Sequence, residues 1–144
     1  MPHIQIDYTA NLADAVIGGR LVDWVHQAAI ETGIFPVWDI RTLARALDDY
    51  RVGNAQADNG FVNITVRIAP GRSLEVRQRI ARELFGAVLA AMGPLFDQHR
   101  LGCQLEVTEF DAAVSVYQNN LADTGNPVEP VLCRSSARAQ EDKA

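Results

Sequence analysis

Two cysteines in 144 residues, Cys103 and Cys133, leave out most of what cysteine builds. They are too few and too isolated for a disulfide framework or a zinc site, and Cys103, opening an alternating strand, reads as packing. Positive charge is also short: 13 Lys and Arg stand against 18 Asp and Glu, a formal net charge of -5. A surface that tracks phosphates is usually basic, so no nucleic-acid partner is expected. Apolar runs stop well short of the ~20 residues that a bilayer needs, and no basic-then-apolar leader opens the chain. The expectation is a cytoplasmic protein with no membrane partner, no metal and no cofactor. What is there is ordinary for a globular domain, with 48% hydrophobic and 22% charged residues, enough for one sizeable core.

The chain opens on Met1-Pro2-His3, and Ile4, Ile6 and Tyr8 then alternate with polar residues at the period of a half-buried strand. Proline suits the start of a strand, having no N–H to give to the ladder. If Met1 is removed, Pro2 carries a free secondary amine, and an α-amino group of pKa roughly 7.7–8.0 lies within range of a general base. Thr9 to Asn11 reads as a turn and Gly18-Gly19 as a break. Leu21, Val22, Val25, Ala28 and Ala29 then share one helix face over about 20–32, stopped by Gly33 and Pro36.

Residues 37–47 alternate and predict a strand, with Trp38, Ile40, Ala44 and Ala46 on one side. The polar stretch 48–60 predicts a connection that caps a hairpin or lies over a site. Val62, Ile64, Val66 and Ile68 form the clearest strand row. Pro70 to Ser73 then turns into the longest helix, with Ser73 as N-cap and Val76, Ile80, Leu84, Ala87, Val88, Ala91 and Leu95 on its apolar face. Arg77, Arg79, Arg82 and Glu83 read as its solvated face, and Gly93-Pro94 kinks or ends it. Another strand is predicted over 103–110, and a short fifth over 113–117.

Strand, helix, strand thus occurs twice, at about 3–47 and 61–110. Crossover helices of this length join parallel strands. The predicted fold class is α+β: tandem β-α-β units in a four-stranded mixed sheet, with two helices on one face. The domain is placed at residues 1–120, and 121–144, small, polar and proline-containing, as a flexible C-terminal tail. The other sheet face is expected to carry apolar and small residues and, being uncovered, to invite self-association.

Two arginines stand out. Arg72 lies in the turn entering the second helix, beside N–H groups that favour an anion, and Arg41 lies on the polar side of the second strand. With a free Pro2 amine they make a coherent apparatus. The amine moves a proton between carbons while the guanidiniums hold carboxylates and growing enolate charge. His3, Trp38, Phe61 and Asn119 read as packing or hydrogen-bonding residues, and His26 and His99 as surface helical ones.

Met1-Pro2-His3, Thr32-Gly33-Ile34-Phe35-Pro36 with Ile40-Arg41, Phe61-Val62, Gly71-Arg72-Ser73-Leu74-Glu75 and Gln118-Asn119-Asn120 together resemble the 5-carboxymethyl-2-hydroxymuconate isomerase family of the tautomerase superfamily. The resemblance spans about residues 2–120. It implies a homotrimer, a small polycarboxylate enol substrate and cofactor-free isomerisation in the breakdown of homoprotocatechuate, which derives from 4-hydroxyphenylacetate. It also implies Pro2 as general base or proton shuttle, with Arg41 and Arg72 handling carboxylates and charge. Asp39 departs from the expected pattern, standing two residues before Arg41 where it either pairs with that arginine or repels an acidic substrate. A tautomerase acting on another enol acid, or a trimeric binding protein without catalysis, remain the other readings.

Overall fold

The computed structural model describes residues 2–121. Four strands, β1 (His3–Thr9), β2 (Arg41–Leu47), β3 (Asn59–Ile68) and β4 (Arg100–Glu109), form one mixed sheet in the order β2-β1-β3-β4. The pairs β1–β2 and β3–β4 are parallel, and β1–β3 is antiparallel. Each parallel pair is bridged by a crossover helix, α2 (Leu21–Glu31) or α3 (Leu74–Met92). The two β-α-β units of the α+β fold are therefore present, related by the antiparallel seam at the centre of the sheet.

Alternation decides which face is covered. Ile4 and Ile6 of β1, with Val62, Ile64, Val66 and Ile68 of β3, have no exposed surface and pack with Val25, Ile80, Leu84 and Val88 from the helices. Cys103, Leu105 and Val107 extend this layer on β4, in register with Val62, Ile64 and Val66. Burial of these aliphatics, each contributing about 1.5–3 kcal/mol, is what holds the helices on the sheet. The opposite face carries the expected apolar and small residues in Leu43, Leu47, Phe61 and Gly102, but is more polar than expected. Gln5, Asp7, Asn63, Thr65, Gln104 and Glu106 dominate it, and Arg45 bonds both carboxylate oxygens of Asp7, at 3.1 and 3.3 Å.

Helix ends follow local chemistry. The Ser73 hydroxyl accepts from Val76 N at 3.2 Å, capping α3 as its sequence suggests. Ser73→Ala is expected to lower stability by about 1 kcal/mol, read as a fall of a few degrees in Tm with turnover retained. Gly33, at φ +68°, takes the left-handed conformation that ends α2. Gly93-Pro94 ends α3 and leads into one more turn, α4 (Leu95–Gln98). The arginine-bearing face of α3 is less free than predicted: Arg77 pairs with Glu109, and Arg79 reaches the Thr32 carbonyl at 2.7 Å, tying α3 to the end of α2.

Other elements depart from the sequence reading. A helix not foreseen, α1 (Ala13–Gly18), follows a 3-10 turn at Ala10–Leu12. The break before α2 begins at the glycine pair, where α1 ends at Gly18 and Gly19 caps it, and is completed by Arg20, which adopts φ +55° beside its partner Asp23. Val37–Asp39 is a 3-10 turn, because Pro36 presents its carbonyl to Asp39 N; β2 begins only at Arg41, which leaves Trp38 outside the strand. The connection 48–58 makes no hairpin, since β2 and β3 are not neighbours. It passes the C-terminal end of β1, where Asn59 bonds Val52 O and Asn54. No fifth strand forms at 113–117: Asp111 accepts from Ala113 N and winds Ala112–Val114 into a 3-10 turn. The predicted tail lies, but for Leu121, outside the described residues.

Candidate functional site

The topology gathers one end of the sheet around Pro2. Strand β2 runs parallel to β1, so its first residue, Arg41, lies beside the start of β1, and Arg41 N donates to the Pro2 carbonyl at 3.2 Å. Because β3 runs antiparallel, its C-terminal end and the turn to α3 arrive at this same end, bringing Arg72. The end of β4 arrives there too, with Phe110 N donating to the Ile68 carbonyl. Pro2 itself is buried, and strand alternation places it on the helix-covered side with Ile4. The polar connection 48–58 lies at the opposite end of β1 and closes over none of these residues.

The two arginines reach this end from opposite sides. Arg72 sits over Phe35, 4.9 Å from the ring centroid, and makes a long 3.5 Å contact to Ala69 O. Phe35 is a core residue delivered by the stop of α2. There the Thr32 hydroxyl donates to Ala29 O at 2.7 Å and accepts from Ile34 N at 3.3 Å, and Gly33 turns the chain. The turn carrying Arg72 is set by Gly71 at φ +112°, whose N–H donates to Glu109. A side chain at that φ is strained, so glycine is needed there.

On the uncovered face, Arg41, His3 and Arg67 stand side by side on β2, β1 and β3. With Phe110, Ser115 and Tyr117 they line a hollow of about 280 Å³. The Arg41 guanidinium lies 4.8 Å from the Tyr117 ring centroid, a cation–π contact. Its Nε donates to His3 Nδ1 at 3.5 Å, and its buried Nη1 has no partner. Burial, then the charges of Arg41 and Arg67, hold the His3 imidazole below its ordinary pKa. A neutral ring agrees with Nδ1 accepting from Arg41, and it puts the ring proton on Nε2. Neither Pro2 nor Arg72 lines this hollow.

Asp39 does not pair with Arg41. Its carboxylate accepts from Asn119 at 3.3 Å, and Asn119 also donates to the Tyr117 hydroxyl at 2.6 Å. The Gln118-Asn119-Asn120 motif thus ties the segment after β4 back across the entrance to β2 and lays Tyr117 on Arg41. His3, Arg67 and Tyr117 were not expected in a site. Arg67 belongs to a visible polar row, but only the antiparallel register brings it beside His3. Tyr117 has no local signal at all.

Two other groups are accounted for structurally. His26 is half-buried rather than on the surface, hydrogen-bonded through Nδ1 to Thr42 at 2.9 Å and shifted below its usual pKa by burial, against the opposing charge of Asp23. Burial pushes the Cys103 thiol up to about 11, so it stays protonated near neutrality, in keeping with a packing role. Among the described residues no helix is long and apolar enough to cross a membrane.

The chain is similar to known proteins over most of its length. A curated relative from Escherichia coli, 5-carboxymethyl-2-hydroxymuconate Delta-isomerase, is 29% identical over 121 residues, covering 84% of this chain and 96% of its own. The crystal structure of a 5-carboxymethyl-2-hydroxymuconate isomerase from Deinococcus radiodurans R1 superposes with a TM-score of 0.77 at 30% identity, covering 83% of this chain and 90% of the other. A malonate semialdehyde decarboxylase of the FG41 type shares the fold at a TM-score of 0.55 and 20% identity, over 86% of this chain and 98% of its own. The sequence model of one family matches residues 2–124. On that match, which spans most of the chain, the chain belongs to the 5-carboxymethyl-2-hydroxymuconate isomerase family of the tautomerase superfamily.

Proposed function

We propose that this protein is a cofactor-independent, cytoplasmic isomerase that converts 5-carboxymethyl-2-hydroxymuconate by keto-enol and double-bond proton transfer, in the breakdown of homoprotocatechuate. The trimmed Pro2 amine is the base that takes the proton and returns it. Arg41 and Arg72 hold the carboxylates and the charge that grows on the enolate oxygen. The active form is a homotrimer, each chain bringing the polar, uncovered sheet face to its neighbours.

The observation that carries this reading is the convergence at one sheet end, in a member of this family, of a buried N-terminal proline and two arginines that meet no carboxylate among the described residues. An arginine already paired with an Asp or Glu has little left for a substrate, and these two have only rings, a histidine and a carbonyl. Positioning plus electrostatics suffices for such a proton transfer, in which the enol O–H bond breaks, a C–H bond forms on the conjugated chain and the double bonds shift to leave the keto form.

The test is direct. Protein whose intact mass shows Met1 removed is expected to convert 5-carboxymethyl-2-hydroxymuconate, followed by ultraviolet absorbance, without added metal or cofactor and after treatment with a chelator. Conversion only of other enol acids would move the protein to a different tautomerase role. No conversion of any, with intact fold and assembly, would leave it a binding protein.

A further inference from the structure

We propose that the hollow on the uncovered face is a carboxylate subsite in which Arg67, with His3, takes the free acidic arm of the substrate. Arg67 is thereby the residue that selects the armed substrate over the arm-less one. Calling that arm the carboxymethyl group rests on the isomerase reading above; the subsite itself rests on the geometry.

Three positions in adjacent strands carry the argument. Arg41, His3 and Arg67 are in direct register on β2, β1 and β3. Neighbouring strands lie about 4.8 Å apart, so the two arginines flank the histidine within about 10 Å of one another. Two cations this close on one sheet face repel unless an anion lies between them. No described residue of the chain supplies one there. Among the described residues the Arg67 side chain makes no hydrogen bond or ion pair, and Arg41 Nη1 is buried without a partner.

Four arginines elsewhere in the fold do have such partners. Arg20, Arg45, Arg77 and Arg79 each meet a carboxylate, and Arg45 does so on the same face, where Asp7 stands in the register position that His3 occupies beside Arg41. In a chain of net charge -5, a hollow with two guanidiniums that meet no carboxylate and no Asp or Glu among the described residues of its lining is a marked departure. Its remaining polar groups suit the same guest. With Nδ1 accepting from Arg41, His3 carries its proton on Nε2, and Ser115 adds a hydroxyl. Phe110 and Tyr117 wall the sides, and a bond from either guanidinium to a carboxylate there would be charge-assisted. At about 280 Å³ the space has room for such an arm.

Arg67 touches neither the Pro2 carbonyl nor the Arg72 turn in any contact of the structure, so its loss should alter selection more than chemistry. The experiment compares trimmed wild type, Arg67→Gln and Arg67→Lys on 5-carboxymethyl-2-hydroxymuconate and on 2-hydroxymuconate. In parallel, each protein is titrated calorimetrically with propane-1,2,3-tricarboxylate and with glutarate. Arg67→Gln is expected to raise KM for the armed substrate about 10- to 100-fold, with kcat and the arm-less KM little changed. It should weaken the tricarboxylate by a similar factor and leave glutarate alone, and Arg67→Lys should restore part of both.

Equal effects on both substrates and both probes, or none on any, would overturn the subsite while leaving the isomerase reading standing. A wild type that converts neither substrate, yet binds tricarboxylate in an Arg67-dependent way, would overturn the isomerase reading and uphold the subsite.

Discussion

Chain that keeps Met1 is expected to isomerise its substrate at least about 100-fold more slowly than trimmed chain, the lower end of what a positioned general base contributes. The reason is electronic. In a peptide bond the proline nitrogen gives its lone pair to the carbonyl and has no basicity left, whereas the free secondary amine titrates near neutrality. Position is already fixed by the fold. Pro2 is buried, and its carbonyl accepts from Arg41 N, so trimming changes the nitrogen's chemistry while the strand keeps its place.

Inserting a glutamine between Met1 and Pro2 blocks trimming, because only a small second residue permits removal of the methionine. Intact mass then verifies retention, and Tm and assembly verify that nothing else has changed. For the trimmed enzyme, the rate should climb with pH as the amine loses its proton and then level off. Retained methionine with full turnover would remove Pro2 from the chemistry and pass the base role to another group at the sheet end.

What could be read without coordinates was local. The aliphatic row of β3, the Ser73 cap, the Gly33 stop and the Gly93-Pro94 terminator each depend on a few consecutive residues, and each appears where the sequence puts it. Features set across long separations did not show. The 3-10 turn at Val37–Asp39 imitates a strand because alternation alone cannot register Pro36 as the acceptor for Asp39 N. α1 is too short for helical periodicity to declare itself. Polar residues on the uncovered face are visible one strand at a time, yet their meaning needs the register, which alone sets Arg67 beside His3. Tyr117 meets Arg41 across most of the chain, through a tether running from Asn119 to Asp39. Pro2, Arg41 and Arg72 could be nominated from sequence because a resemblance grouped them. That Arg41 and Arg72 approach from opposite sides of the sheet could not.

The same opposition makes Arg72 the second residue whose loss should be severe. Arg72→Ala is expected to lower kcat/KM about 100- to 1,000-fold, the range for removing one preorganised donor to a developing oxyanion. Stability should hardly move. The side chain contributes a stack on Phe35, about 0.5–1 kcal/mol at an accessible site, and one long contact to Ala69 O. Those partners are weak, and a substrate carboxylate or enolate oxygen outcompetes both, so the resting arrangement stores the guanidinium without committing it. Its backbone frame is independent of its side chain, because Gly71 is held by Glu109 and Ser73 caps α3.

Steady-state kinetics with a parallel melting curve separates the possibilities. A large fall in kcat/KM with Tm within about 2 °C of wild type identifies a group acting on the reaction. Arg72→Lys should recover only part of the loss, since a single ammonium cannot reproduce the planar fork. Unchanged kinetics would exclude Arg72 from the site and leave Arg41 to carry the developing charge. A fall in Tm proportionate to the loss of activity would make the Phe35 stack its true function.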